Sequence, residues 1–314
     1  MSVRIGVSVV LWRPRLDVFA LALDALAGQT TPPHAVRVHV NEAASAPALD
    51  PAVPVTVTTS PENLGFCGGH NANAAALFAD GADAVLVLNP DLALAPDALA
   101  AFADAWSATA GAALVGPLLE LADPETLAGQ GIVDTAGIRW TVGGRHLDVL
   151  QGAPLSTAPS SPTRVDGISG ACLLVGRAAY DRLVAAGGEL FDEAFVAYRE
   201  DAELAWRAGL IGVESVLWPA ARGRHARTLR GTSRAAGEHV NRLGVQNRFL
   251  IAFKYGRRRP GSLLPALARD VVVVAAVLLR ERSSIPGLRT AWRLRKTERA
   301  KGRRVLRRNG RGTP

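Results

Sequence analysis

The first 120 residues alternate between short apolar runs and longer runs with helical spacing, which restricts the fold more than any other sequence feature. The short runs are rich in β-branched residues, as buried strands are, and the longer ones repeat apolar residues every three or four positions. This rhythm predicts an α/β fold, a mostly parallel sheet flanked by helices, whose ligands bind beyond the carboxyl ends of the strands. The predicted strands are residues 5–11, 36–40, 53–58, 84–88 and 114–118, and the predicted helices are 16–27, 72–79 and 97–106.

The second half of the chain is less regular. Residues 123–163 are rich in Gly, Pro, Ser and Thr, and we expect an irregular excursion with a hairpin there. Periodic patterns then return, with strands predicted at 171–175 and 213–218 and helices at 200–208 and 235–253.

Charge is distributed unevenly along the chain, whose formal net charge is +8. From Arg257 onward there are 17 Lys and Arg against three acids, a net of +14, which leaves −6 for the rest. We therefore predict a domain over residues 1–255 and a basic, partly amphipathic helical extension over 256–314. A strongly basic extension is typical of proteins that bind an anionic membrane surface or a nucleic acid.

The most apolar part of the extension is residues 263–279, which Arg269, Asp270 and Pro265 make a poor spanning helix. It is expected either to pack on the domain or to lie on a membrane surface. The two cysteines, Cys67 and Cys172, form no disulfide framework, and the first residues run directly into a strand pattern. These features predict a cytoplasmic protein, peripheral at the inner face of the membrane.

The segment Asn63-Leu-Gly-Phe-Cys-Gly-Gly-His-Asn71 follows the third predicted strand. Its three glycines in five positions favour a loop whose amides approach a ligand closely, with the N-terminus of the next helix behind it. A flexible loop with an ordinary helix cap is the alternative interpretation.

A second segment, Asn89-Pro-Asp91, ends the fourth predicted strand. Pro90 stops the strand, so Asp91 is expected at the carboxyl edge of the sheet, where one carboxylate can hold Mg²⁺ or Mn²⁺ together with phosphate and water. A turn with a capping Asp is the alternative.

The third and fourth segments combine acids and bases. Residues 191–207 contain an acidic cluster in which Glu200 and Asp201 open a predicted helix, a place where carboxylates stay ionised and can act as a general base. Residues 222–230 place His225 among four arginines, a composition suited to a diphosphate. A solvated acidic helix turn and a structural histidine are the alternatives.

Together these segments resemble glycosyltransferase family 2, especially its bacterial rhamnosyltransferase-like members. Each motif is weak alone, but six occur in the family's order over residues 3 to 255. The matching segments are 63–71, 89–91, 167–175, 191–195, 198–207 and His225.

The resemblance implies a GT-A fold, which is Rossmann-like, and a nucleotide-sugar donor. It implies inverting transfer with Mg²⁺ or Mn²⁺ at Asp91 and His225, and with Asp201 as base and Glu200 as the next candidate. The acceptor would be a lipid-linked or other glycan, and the best guess for the donor is dTDP-rhamnose, followed by UDP-sugars. Donor contacts are assigned to Asn41, Asn63, Gly65, Phe66, Gly69, Asn71, Asn89, Arg207 and Arg224.

The chain departs from the family pattern at two positions. Asn41 stands where the family usually has the Asp that reads the nucleobase, so the base preference is open, and His70 stands where an Asn is common. These departures also leave an inactive family member as a possible interpretation.

Two other classes of protein compete with this interpretation. A dinucleotide-binding oxidoreductase needs a glycine fingerprint after the first strand, but residues 12–16 contain no glycine. A nucleic-acid-binding protein would explain the basic extension, but residues 1–255 are acidic and contain no recognisable nucleic-acid module, so we expect no nucleic-acid partner.

Overall fold

A computed structural model describes residues 3–43, 49, 53–227, 234–256 and 263–308. Its strands are β1 (Ile5–Leu11), β2 (Ala35–Asn41), β3 (Val55–Ser60), β4 (Ala84–Leu88), β5 (Leu92–Leu94), β6 (Leu114–Ala122), β7 (Gly129–Thr135), β8 (Ile138–Trp140), β9 (His146–Asp148), β10 (Thr163–Val165), β11 (Cys172–Gly176) and β12 (Ser215–His225). Its helices are α1 (Leu16–Ala27), α2 (Gly65–Ala79), α3 (Ala98–Thr109), α4 (Arg177–Gly187), α5 (Glu200–Leu210), α6 (Arg234–Tyr255), α7 (Leu263–Leu279) and α8 (Ile285–Arg308).

The central sheet has the strand order β10-β12-β6-β11-β4-β1-β2-β3, with β5 and β7 added beside β12 and β6. Strands β3, β2, β1 and β4 are parallel, as are β6 and β12. Because β11 is antiparallel to both β4 and β6, these six strands point the same way and their carboxyl ends share one edge. The predicted mostly parallel sheet is confirmed, and so is the hairpin within 123–163, formed by β8 and β9.

Helices cover both faces of the sheet. Successive residues of β4 face opposite sides, so Leu86 packs with α1 and α3 while Val85 and Val87 pack with α2, α4 and α5. A strand buried on both faces reads as a continuous apolar run, which is why β1 and β4 were recognisable in the sequence.

Residues 65–71 belong to α2 instead of an open glycine-rich loop, which corrects the prediction. A Cβ at Gly69 would lie 2.7 Å from Val10 Cγ2, and one at Gly65 would lie 2.4 Å from the Val196 carbonyl oxygen. Gly65 also has a φ of 69°, which favours glycine. The glycines therefore allow α2 to pack closely on β1 and on the segment before α5.

Strand β12 extends to His225, well past its predicted end at residue 218. It passes a bulge between Trp218 and Arg222 and continues to pair with β6, while β5 pairs with its last three residues. The final residues alternate, with Arg222 and Arg224 exposed and Gly223 and His225 buried. This extension carries His225 to the edge where β4 ends.

Helices α6 and α8 are packed on the α2, α4 and α5 side, and α7 is joined to α6 by the Arg248–Asp270 pair. Helix α7 has the predicted bounds, but α8 is not a separate appendage, because Ala291 and Val305 belong to the same buried cluster as α5 and α6. Gly302 lies directly against the carbonyl oxygen of Lys254. The predicted division at residue 255 is therefore not a break in packing. No helix within the described ranges is long and apolar enough to cross a bilayer.

Candidate functional site

Asn89, Asp91 and His225 meet at the carboxyl edge of the sheet. Asn89 and Asp91 follow β4, and His225 is the last residue of β12. The His225 Nε2 atom lies 3.4 Å from Asp91 Oδ1 and 3.3 Å from Asn89 Nδ2. Asn89 and Asp91 belong to one segment and His225 to another more than 130 positions later, and the fold brings the two segments together.

Asp134, at the end of β7, completes this group. Its Oδ2 lies 2.9 Å from His225 Nδ1, and its Oδ1 accepts from Arg227, whose Nη2 lies 2.9 Å from Asp148 Oδ2. Burial opposes the charged imidazolium, but Asp134 and Asp91 outweigh it and raise the pKa of His225 to about 9. Asp134 thus fixes the orientation of the ring that Asp91 faces.

A divalent cation would be held by Asp91 together with His225 in its neutral form, so its binding would displace the ring's extra proton. Two neighbouring ligands of an octahedral ion with bonds of about 2.1 Å stand about 3 Å apart, close to the separation of Asp91 Oδ1 and His225 Nε2. A metal-ligating histidine usually donates a hydrogen bond from its other ring nitrogen to a carboxylate, and Asp134 occupies that position here. Within the described ranges no three metal-ligating side chains converge, so most of the coordination shell of such an ion would come from phosphate and water.

A second group of carboxylates, Glu200 and Asp201, begins α5. The turn before them has left-handed backbone at Val196, Tyr198 and Arg199, with φ of 62°, 65° and 66°. Such strain in side chains other than glycine costs about 1–3 kcal/mol per residue and persists only where the surroundings hold it.

Asn247 of α6 holds this strained turn. Its Nδ2 donates to the carbonyl oxygens of Phe195, Ala197 and Tyr198 at 2.8, 2.9 and 2.6 Å. The side chain is fully buried. The direction in which α5 begins is therefore fixed from α6.

Among the described residues no cation outweighs the effect of burial on the pKa values of Glu200 and Asp201; Arg199 lowers the pKa of Asp201, but by less than burial raises it. Burial raises the pKa of Asp201 to about 6, although the amides of Gly170 and Ala202 donate to it. Burial and the neighbouring Asp201 charge raise the pKa of Glu200 well above its usual range. A carboxyl with a pKa near 6 can accept a proton at neutral pH more readily than an ordinary aspartate.

The backbone of Gly170 and Ala171 joins the two groups. The Gly170 amide donates to Asp201 Oδ2 at 3.2 Å, and the next carbonyl, that of Ala171, accepts from the Asn89 amide at 2.9 Å. A Cβ at Gly170 would meet both the Phe66 ring and Glu200 Oε1. The two carboxylate groups therefore lie on either side of this short link, with Phe66 beside them.

Several residues assigned to the donor have internal partners instead. The Asn41 side chain is buried, accepting from the Leu64 amide and donating to the Gly65 carbonyl. Asn63 Oδ1 accepts from the Gly65 amide, and the Cys67 amide donates to the Val196 carbonyl. These amides at the start of α2 are used within the protein. Asn41 and Asn63 thus stabilise this turn through their hydrogen bonds, and Gly65 and Gly69 allow α2 to pack closely on its neighbours.

Asn71, Arg207 and Arg224 contact residues other than the two groups just described. Asn71 exchanges two hydrogen bonds with the backbone of Phe191. Arg207 is fully buried and donates to Glu203 and to the carbonyls of 183, 189 and 190. Arg224 is exposed on the opposite side of β12 from His225, and Arg230, another of the four arginines, lies outside the described residues. The burial of Arg207 corrects its assignment to the donor.

Four residues were not identified from the sequence: Asp134, Asp148, Asn247, and Arg227, which bridges the two aspartates. Asp134 and Asp148 lie in the segment that we expected to be irregular, and Asn247 lies in a helix that carries no recognisable motif. Their roles depend on partners 49 or more positions away in the chain, so no local signal could have identified them.

Comparisons with known proteins give matches in structure only. No protein-family model matches the sequence, and no curated protein sequence does. GalNAc-T7 with UDP, GalNAc and Mn²⁺ superposes with a TM-score of 0.62 at 13% identity, over 81% of this chain and 48% of its own, so the chain spans about half of that protein.

Two further structures cover nearly the whole chain. The mannosyltransferase PcManGT from Pyrobaculum calidifontis, in complex with GDP-Man and Mn²⁺, has a TM-score of 0.51 at 16% identity, over 98% of this chain and 86% of its own. Residues 1–349 of S. aureus TarS with UDP have a TM-score of 0.50 at 15% identity, over 98% and 92%. At these identities the likeness establishes the fold alone, and the fold of this chain is the GT-A fold of those glycosyltransferases.

Proposed function

We propose that the chain is an inverting glycosyltransferase that moves a sugar from a nucleotide diphosphate to a hydroxyl group of a lipid-linked or other glycan acceptor. The observation that carries the proposal is the pairing of two unlike groups across Gly170 and Ala171. One is the Asp91–His225–Asp134 group, suited to a cation and a diphosphate, and the other is the Glu200–Asp201 pair with raised pKa values.

The proposed mechanism is a single displacement. Asp91 and His225 would hold Mg²⁺ or Mn²⁺, which supplies positive charge to the departing nucleotide diphosphate. Asp201 takes the proton from the acceptor hydroxyl while that oxygen attacks the anomeric carbon from the side opposite the diphosphate. Since no enzyme group attacks the sugar, the anomeric configuration inverts. Glu200 is the alternative base.

For the donor we propose a pyrimidine diphosphate sugar, dTDP-rhamnose first and UDP-sugars such as UDP-galactofuranose next. The support is the motif resemblance to rhamnosyltransferase-like members of family 2. The structural neighbours include proteins solved with UDP and one solved with GDP-Man, so their ligands favour no single base. Since Asn41 is buried and hydrogen-bonded within the protein, we propose that other residues of this chain recognise the base.

The first test is a thermal-shift panel of dTDP-rhamnose, UDP-galactofuranose, UDP-galactose and GDP-mannose, each with and without Mn²⁺. A ligand at 100 times its Kd should stabilise the fold by about 2.7 kcal/mol. We expect Mn²⁺-dependent shifts with the pyrimidine donors, and calorimetry of Asp91→Ala should show the loss of metal-dependent nucleotide affinity while the fold remains intact.

Three results would contradict parts of this proposal. No shift with any donor argues against a nucleotide-sugar enzyme. A stronger shift with GDP-mannose than with the pyrimidine donors overturns the donor assignment. Unchanged Mn²⁺-dependent affinity in Asp91→Ala overturns the metal assignment. Slow metal-dependent release of nucleotide from the preferred donor would provide a direct sign of the activity.

A further inference from the structure

Helix α7 presents an apolar face to solvent. Of the twelve large apolar side chains that are exposed among the described residues, seven lie on this one helix. Leu264, Val271 and Leu279 are 77%, 68% and 77% exposed, and the members of the face recur at spacings of three, four and seven. The opposite side of the helix is used for packing, with Ala266 and Val277 buried and Asp270 paired with Arg248. We call the exposed residues of α7 the apolar face; they are Leu263, Leu264, Leu267, Val271, Val272, Leu278 and Leu279.

Helix α8, which follows after a short turn, presents a row of bases. These residues are separated by three or four positions, so they lie on one side of the helix. We call this row the basic stripe; its exposed members are Arg289, Arg293, Lys296, Arg299, Arg303 and Arg307. The only acid of α8, Glu298, is fully buried on the other side. The stripe therefore contains no carboxylate that could neutralise it from within the helix.

Trp292 lies beside the stripe and is 61% exposed. Arg295 stacks over its ring at 4.0 Å, and the ring also makes an edge contact with Phe253 of α6. An amphipathic aromatic ring among bases is typical of a helix that lies at the level of lipid headgroups.

The inner side of α8 holds the stripe in place. Val305 and Leu306 are buried, and Gly302 lies against the backbone of α6. Lys301 reaches inward to Asp192 at 2.5 Å. The bases of the stripe thus project from a helix whose orientation is fixed by the core.

We propose that the apolar face of α7 and the basic stripe of α8 dock the protein on an anionic lipid membrane without crossing it. A lipid surface accepts both features, since headgroup phosphates attract the bases and the boundary with the acyl chains covers apolar side chains. A nucleic acid would use the stripe and leave the apolar face in water. With 17 residues, α7 is shorter than the roughly 20 that a spanning helix needs.

The test is flotation of the full chain with vesicles of phosphatidylcholine alone or with phosphatidylglycerol. The wild-type chain should float with the anionic vesicles, be released by high salt and stay behind with neutral ones. The triple variant Arg293→Gln, Lys296→Gln, Arg303→Gln should partition on the order of 100-fold more weakly. A variant of the apolar face, Leu264→Gln, Val271→Gln, Leu279→Gln, should also partition more weakly.

A matched control removes three exposed bases outside these helices: Arg4→Gln, Arg164→Gln and Arg182→Gln. It changes the net charge by the same amount and should float like the wild type. Metal-dependent nucleotide release in vesicle-free buffer should be equal in all variants, which separates failure of the docking from failure of the proposed function.

Four outcomes would overturn the docking proposal. In the first, the stripe variant floats like the wild type. In the second, the control variant loses as much flotation as the stripe variant. In the third, the wild-type chain floats equally well with neutral and with anionic vesicles. The fourth is absence of flotation, whether the stripe then proves to bind duplex DNA or RNA or the apolar face proves to join two copies of the chain.

Discussion

Two pairs of carboxylates in residues 191–207 differ in the cations that lie near them. Asp192 and Glu203 receive Lys254, whose Nζ lies 2.5 Å from Asp192 Oδ2 and 2.7 Å from Glu203 Oε1. Burial would raise their pKa values, but Lys254 and Lys301 lower that of Asp192, and Arg207 and Lys254 lower that of Glu203. Glu200 is buried and Asp201 is half-buried, and the pKa values of both are raised.

The difference lies in lysines from α6 and α8 and in Arg207 of the acidic segment, which also lowers the pKa of Glu203. Lys254 of α6 and Lys301 of α8 contact the first pair, whereas Asn247 of α6 binds the turn before the second pair. Burial disfavours every carboxylate, and a nearby cation reverses this effect. The first pair therefore stabilises the fold, whereas the second is free to exchange a proton.

The largest effect should follow from removing the proposed base. Asp201→Asn keeps the shape and removes the basicity, so transfer should fall about 10³–10⁴-fold while donor affinity is largely kept. Initial rates and donor titrations measure both quantities. Near-normal turnover would reject Asp201 and make Glu200 the next candidate.

Removing the cation of the structural pair should affect stability instead. Lys254→Met leaves Asp192 and Glu203 without their shared partner and should lower the free energy of unfolding by about 3–5 kcal/mol, as for other broken buried ion pairs. Urea unfolding gives the value, with the exposed Lys296→Met as control. A decrease in the free energy of unfolding of less than about 1 kcal/mol would show that Asp192 and Glu203 can be buried without the lysine.

Asp134→Asn tests whether the histidine is oriented by its carboxylate. Loss of the charge that holds His225 Nδ1 should weaken Mn²⁺ binding in the presence of nucleotide by about 10–100-fold, as for other carboxylates behind a metal ligand. Electron paramagnetic resonance of free Mn²⁺ measures this. Asp148→Asn, which removes a partner of Arg227 but not of His225, should have less effect. Equal weakening in both variants would refute the specific role of Asp134.

Asn247→Ala should release the strained turn that positions Glu200 and Asp201. Buried carbonyls at 195, 197 and 198 would lose their donor, at a cost of about 1–3 kcal/mol in stability. We expect kcat to fall about tenfold or more with donor affinity unchanged. Gln246→Ala, whose side chain donates to the nearby Ala194 carbonyl, is the control. A change in donor affinity alone would contradict a positioning role.

The smallest effect concerns pH. Asp201 must be ionised to act as a base, so with a pKa of about 6 kcat should fall about tenfold per pH unit below 6 and level off above it. The lowered pKa values of Asp192 and Glu203 stabilise the fold above about pH 4, the range of unfolded carboxyls, and this contribution is lost as the pH falls further. Activity should thus decline before stability does, which circular dichroism can follow. Loss of activity that tracks unfolding would contradict the separation.

The sequence predicted the fold well because strands such as β1 and β4 are buried on both faces and their apolar runs are unambiguous. It also placed Asp91 at the end of a strand-like run and His225 among arginines, and their role in a common site stays a prediction. It was wrong about α2, where glycines that suggested an open loop serve close packing against Val10 and Val196. It also assigned Arg207 to the donor, whereas the residue is buried among carbonyl groups and Glu203.

By itself the sequence determined which segments form strands and helices and which carboxylates are candidates, because local periodicity and residue type carry that information. Only the tertiary structure decided which carboxylates are neutralised, since Lys254, Lys301 and Asn247 approach residues 192–203 from helices far along the chain. The tertiary structure also decided that Asp134 lies behind His225 and that the apolar face of α7 is exposed. The pKa of a carboxyl depends on charges within a few ångströms, and in this protein Lys254 and Lys301, which lower the pKa of Asp192, come from distant parts of the sequence.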